Sequence, residues 1–97
     1  NLMVQQLNRY WGRSKRIWVT EYGYQTQPPD RAFGVRYATQ AKYVHQAFAI
    51  ARRTRRIDMI VWFLIRDEHR LSGWQSGVIS ARGARKPAYS AFAKMRR

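Results

Sequence analysis

The residues best placed to do chemistry close a short apolar run, Ile17-Trp18-Val19-Thr20-Glu21-Tyr22-Gly23. Such a run reads as a strand, and in parallel α/β architectures the reactive groups sit at the C-terminal ends of strands. Glu21 therefore stands where a catalytic carboxylate would stand; the competing assignment is a salt bridge to one of the many arginines. The other acids are Asp30, Asp58, Asp67 and Glu68. Asp67 and Glu68 follow a second apolar run, Ile57-Asp58-Met59-Ile60-Val61-Trp62-Phe63-Leu64-Ile65, and as a solvated pair they would balance Arg66 and Arg70. Trp62 lies near the end of that run, where an indole serves either as core or as a flat apolar face for a ligand. Tyr22, Tyr24 and Trp74 fall in loops on the same presumed face and either touch a substrate or pack beneath their own loops. His45 and His69 lack a second ligand at metal spacing, and with no cysteine there is no disulfide, thiol nucleophile or Cys-bearing zinc site. No cofactor is implied.

The elements that must position these residues alternate. Met3, Leu7 and Tyr10 recur at helical spacing, flanked by Val4 and Trp11, so residues 1 to 11 read as a helix that Gly12 ends. The strand from Ile17 to Glu21 follows. Pro28, Pro29 and Gly34 punctuate a loop from Tyr22 to Gly34. From Val35 to about Thr54 a long helix is expected, with Tyr37, Ala41, Val44, Phe48 and Ala51 along one face. The second strand, Ile57 to Ile65, is apolar almost throughout, as a parallel strand covered on both faces is. A polar loop from Arg66 to Gly77 leads to a short hairpin-like excursion around Val78-Ile79-Ser80. Pro87 is suited to the first position of a final helix, with Ala88, Phe92 and Met95 inward.

Helix, strand, helix, strand, helix requires a parallel crossover, so the fold class is α/β. Two parallel strands make a poor sheet by themselves, and the length matches roughly the last quarter of an eight-stranded barrel of about 250 residues. The expectation is that residues 1–97 are the C-terminal portion of one such (β/α)8 domain, the remainder lying upstream of Asn1.

Net charge is +14, from 19 Lys+Arg against five Asp+Glu. A basic nucleic-acid-binding module is one reading. Against it, none of the named nucleic-acid motifs occurs, and Arg52, Arg53, Arg55 and Arg56 fall where a helix ends and cations complement its macrodipole. No specific nucleic acid is expected as partner. Apolar residues at 45% mark core-forming material rather than a disordered tail. No apolar run approaches the roughly 20 residues that span a bilayer, so no membrane partner is expected, and no signal-peptide pattern opens the chain. The compartment is unreadable, though secretion of a parent protein would be compatible.

Trp18-Val19-Thr20-Glu21-Tyr22-Gly23 resembles the W-x-T-E-x-G signature on the seventh strand of retaining glycoside hydrolases built as (β/α)8 barrels, the large clan of cellulase-like and β-xylosidase-like families. Ile60-Val61-Trp62-Phe63 resembles the eighth strand there. Lys86-Pro87-Ala88-Tyr89-Ser90-Ala91-Phe92 is similar to the K-P-A-x-x-A-F opening of the last helix. Ser76-Gly77-Val78-Ile79 followed by Gly83 is similar to the intervening connection.

The resemblance implies a retaining O-glycosidase acting on a carbohydrate, a β-linked glycoside or oligosaccharide, with Glu21 as nucleophile. Such an enzyme needs an ionised carboxylate to attack the anomeric carbon and a second carboxyl about 5–5.5 Å away as acid and base. In the clan that second Glu follows an Asn at the end of the fourth strand. None of the other acids here follows Asn, so the chain is expected to lack its acid/base strand and to be inactive alone. The resemblance further makes Trp62 the sugar platform, with a cis peptide between Trp62 and Phe63, and offers Asp67 and Glu68 to sugar hydroxyls. A non-catalytic carbohydrate-binding barrel remains the alternative.

Overall fold

The computed structural model describes residues 1–95. The α/β class and the order of the main elements are as expected, with two short strands added. Helix α1 spans Leu2–Trp11 and β1 Ile17–Tyr22. Two-residue strands β2, Thr26–Gln27, and β3, Val35–Arg36, precede α2 at Tyr37–Arg53. Strand β4 covers Ile57–Trp62 and α3 covers Pro87–Ala93. The long helix thus begins at Tyr37 rather than Val35, because Val35 and Arg36 pair in parallel with Thr26 and Gln27 across the proline loop.

Strands β1 and β4 form a parallel two-stranded sheet with α2 as the crossover. α2 lies against β4 and α3. The core gathers between them, from Val44 on α2, Trp62 on β4, Val78 in the following loop, and Ala88 and Ala91 on α3. Helix α3 therefore turns Ala88 and Ala91 inward. Phe92, expected there, is exposed and meets Phe48 edge-on at 5.6 Å. Small side chains at Ala88 and Ala91 let α3 approach α2 closely, and a Phe between them would hold it off.

Helix α1 buries no residue of its own. Gly12 closes it with φ 79°, a left-handed conformation that glycine adopts without strain. Arg56 then ties the α1–β1 connection to the start of β4. Its guanidinium donates to Asn8 Oδ1 at 2.6 Å, Lys15 O at 2.6 Å and Gly12 O at 3.3 Å. The excursion after Gly77 is hairpin-like as expected: Ile79 bridges Arg66 in parallel and Arg85 antiparallel, and Ser80 N donates to Ala84 O.

Candidate active site

Glu21 owes its direction to an irregularity in β1. Val19 pairs with Ile60 and Tyr22 with Trp62, so three steps on β1 match two on β4. That extra residue is a β-bulge, a device that re-aims a side chain. Side chains of paired residues stand on the same face and successive ones alternate. Tyr22 and Trp62 accordingly share the helix-facing side, their rings in edge contact at 5.9 Å. Glu21 and Phe63, one step before and one step after, turn to the opposite face. There they line one cleft of about 190 Å³ with Gly23, Gln25, Trp74 and Ser76, and Tyr22 contributes to its wall.

Within this cleft Phe63 meets Trp74 edge-on at 5.7 Å, and more than half of Trp74 is exposed. Trp62 is elsewhere. It is 6% exposed, sits in the α2–α3 core, and donates its indole N–H to Ser76 O at 2.9 Å. The ring presented to the cleft is the next residue along, Phe63, which sequence reasoning passed over because both positions are aromatic in an unbroken apolar run. The cis peptide is displaced in the same direction, lying between Phe63 and Leu64 rather than between Trp62 and Phe63.

Gly23 permits the close approach of the two strand ends. A Cβ there would collide with the Phe63 carbonyl oxygen and crowd the Ser76 side chain. Gly23→Ala is expected to displace Phe63 and lower stability by about 1–3 kcal/mol, which unfolding midpoints check.

Glu21 is exposed and joins no salt bridge among the described residues. The cation nearest to it in sequence, Arg16, instead holds Asp58 through its Nε at 3.0 Å from both carboxylate oxygens. That pair raises the Arg16 guanidinium and lowers the Asp58 carboxyl relative to their ordinary values, through the hydrogen bond first.

From the cleft wall inward, Tyr22 meets Tyr24 edge-on and Tyr24 lies tilted against Tyr43, with centroids 5.8 and 4.5 Å apart. Tyr24 thus packs against α2 and does not line the cleft. Burial pushes the Tyr22 phenol up to about 12, helped by hydrogen bonding to Tyr24. In the unfolded chain the phenol ionises near 10, so the unfolded state sheds its proton first and stability falls as pH climbs from 10 to 12. Tyr22→Phe is expected to flatten that part of the stability curve, read from urea midpoints across the range.

Asp67 and Glu68 part company. Asp67 is buried in an ion pair with Lys86, whose Nζ lies 2.7 Å from Oδ2; the two side chains are 2% and 1% exposed. Lys86 also donates to Thr26 Oγ1 at 2.7 Å and Gln75 O at 3.2 Å, while Asp67 Oδ1 accepts from Gly77 N at 2.8 Å. Burial pushes the Lys86 ammonium down, and Asp67 pulls it part of the way back. Asp67 thus has its oxygens engaged by Lys86 and Gly77 and fastens the loop that carries Trp74 and Ser76, while bordering the same second cavity as Glu68. Glu68 is exposed, outside the Glu21 cleft, on that second cavity of about 530 Å³ with Tyr37, His69 and Arg82. Gln40 completes the support, its Nε2 donating to Tyr24 O, Ser76 O and Gly77 O at 3.1–3.2 Å. Ser76 Oγ, in the cleft wall, has no hydrogen-bond partner among the described residues.

Of the residues singled out in sequence, the fold brings Glu21, Tyr22 and Trp74 together and adds Phe63, Gln25 and Ser76. No group of three or more metal-ligating side chains forms among the described residues. The arrangement offers one unpaired carboxylate beside three aromatic residues, Tyr22, Phe63 and Trp74, with no cation lining the cleft among the described residues. Such a site can attack an electrophilic carbon of an uncharged ligand held by its apolar face. Residues 1–92 match the family model described as glycosyl hydrolase catalytic core. No curated protein matches the chain.

Proposed function

The chain belongs to the glycosyl hydrolase catalytic core family, and on that premise we propose that it carries the nucleophile of a retaining glycosidase. The observation that supports this reading is the exposed Glu21 carboxylate at a bulged strand end, without an ion-pair partner among the described residues and beside Phe63 and Trp74. Glu21 attacks the anomeric carbon as the glycosidic C–O bond breaks and a second carboxyl protonates the leaving oxygen. That carboxyl, now a base, takes a proton from water, which displaces Glu21 and restores the starting configuration.

The second carboxyl comes from a strand that is not part of this sequence, in a (β/α)8 barrel of which β1 and β4 are the seventh and eighth strands. Asp30 serves a turn instead, accepting from Ala32 N and Phe33 N. Asp58 and Asp67 are committed to Arg16 and Lys86. The sugar stacks on Phe63 and Trp74 rather than on Trp62, and the absence of cations from the cleft lining suits a neutral β-linked glycoside or oligosaccharide.

The test is covalent trapping. The intact protein, incubated with a panel of activated 2-deoxy-2-fluoro glycosides, is expected to gain the mass of one glycosyl unit, on the peptide that contains Glu21. The first-formed product seen by NMR is expected to keep the anomeric configuration. A label on another residue, or an inverted product, overturns the assignment. Sugar binding without turnover or label marks a non-catalytic carbohydrate-binding barrel.

A further inference from the structure

At the end of the sheet opposite the cleft, the fold draws two cationic segments into one surface. Ile17 pairs with Ile57 at the N-terminal ends of β1 and β4, which brings residues 9–16 beside residues 52–56. Arg56 fastens the two through Asn8, Gly12 and Lys15. The surface holds Arg9, Arg13, Lys15, Arg16, Arg52, Arg53, Arg55 and Arg56 against a single acid, Asp58. Half of the net charge of +14 is concentrated there, whereas the other four acids lie toward the cleft end. All of these cations except Arg56 are exposed. Capping α2 accounts for Arg52 and Arg53 in its last turn, and Asp58 accounts for Arg16. Arg13, Lys15 and Arg55 have no carboxylate partner among the described residues.

We propose that this end of the molecule docks on an anionic lipid surface. The shape favours a surface over a strand of polyanion. Among the described residues, the clefts at this end lined by Phe48 to Met95, by His45 to Arg53 and by Met3 to Trp18 contain one of these basic side chains each, so none of the three is a basic groove for a polymer to follow. Tyr10 and Trp11, each 63% exposed, stand at the rim, where amphipathic rings suit a headgroup layer. Guanidinium groups match phosphate oxygens bidentately. Because both strands run away from this end, a docked molecule holds Glu21 and Phe63 roughly 20 Å off the lipid, facing outward. The docking is independent of Glu21 chemistry and is measured without any glycoside.

Sedimentation with vesicles tests it, using the intact protein at about 0.1 M salt. Binding to equimolar phosphatidylcholine and phosphatidylglycerol is expected to be at least roughly tenfold tighter than to phosphatidylcholine alone. The triple variant Arg13→Gln, Arg53→Gln, Arg55→Gln is expected to lose at least roughly tenfold of that binding, and the triple Arg31→Gln, Lys42→Gln, Lys94→Gln to retain it. Arg13→Gln and Arg55→Gln alone give the same comparison should the first triple fail to fold. Equal affinity for the two vesicles, equal losses in both triples, or tighter capture of duplex DNA or polygalacturonate at the same salt would each overturn the proposal.

Discussion

Glu21→Gln is expected to lower turnover of an activated aryl glycoside by about 10⁴-fold or more while leaving KM within a few-fold. The amide keeps the size of the side chain but carries no charge to attack with. Phe63 and Trp74, the proposed sugar contacts, are untouched, so ground-state binding is expected to persist. Glu21→Asp retracts the carboxylate by one methylene and is expected to cost about 100-fold, since displacement of a reacting group by about 1 Å is of that order. Glu21→Ala supplies the decisive readout. With the side chain gone, added azide can attack the anomeric carbon directly, expelling the aryloxide and leaving a glycosyl azide of inverted configuration. Recovery of that product identifies Glu21 as the nucleophile. A glycosyl azide of retained configuration would instead assign it the acid/base role, and wild-type rates in Glu21→Gln would remove it from the reaction.

Lys86→Met carries the largest expected loss of stability, about 3–5 kcal/mol, because it strands the Asp67 carboxylate in a site from which water is excluded. The loss is not confined to one pair. Lys86 also holds Thr26 of β2 and the Gln75 carbonyl, so the loops on either side of the cleft come loose together. The pair itself is costly to bury, as the lowered Lys86 value indicates, and Lys86→Met combined with Asp67→Leu is expected to recover a large part of the deficit. Urea unfolding of the two single variants and the double variant gives the coupling, with Lys94→Met as an exposed control expected to stay within about 0.5 kcal/mol of the parent. If Lys86→Met moves the midpoint no more than Lys94→Met does, the pair is not what secures the loops.

The parts of the molecule legible in the sequence are those governed by periodicity. The stripe on α2, the apolar strands and the proline at the start of α3 each follow from local rules, and Glu21 at the end of an apolar run follows with them. What escaped depends on pairing at a distance. Thr26 reads as a loop residue and Val35 as the start of a helix until the proline turn folds them side by side. Asp67 reads as a solvated acid in a polar stretch, because the lysine that neutralises it lies 19 positions later. Trp62 and Phe63 are adjacent, aromatic and apolar; only the register of β4 against β1 decides which faces the helices and which the cleft. A bulge adds one residue without altering the hydrophobic pattern, so the pattern cannot reveal it.

That single surplus residue between Val19 and Tyr22 makes strand parity a switch for chemistry. Were the bulge ironed out at constant length, with Val19 still opposite Ile60, Glu21 rather than Tyr22 would stand opposite Trp62 and the carboxylate would turn to the helix-facing side. A lineage could therefore silence such a site by a change of register that substitutes no catalytic residue. Sorting active from inactive relatives then means establishing the pairing along the strand as well as finding the glutamate.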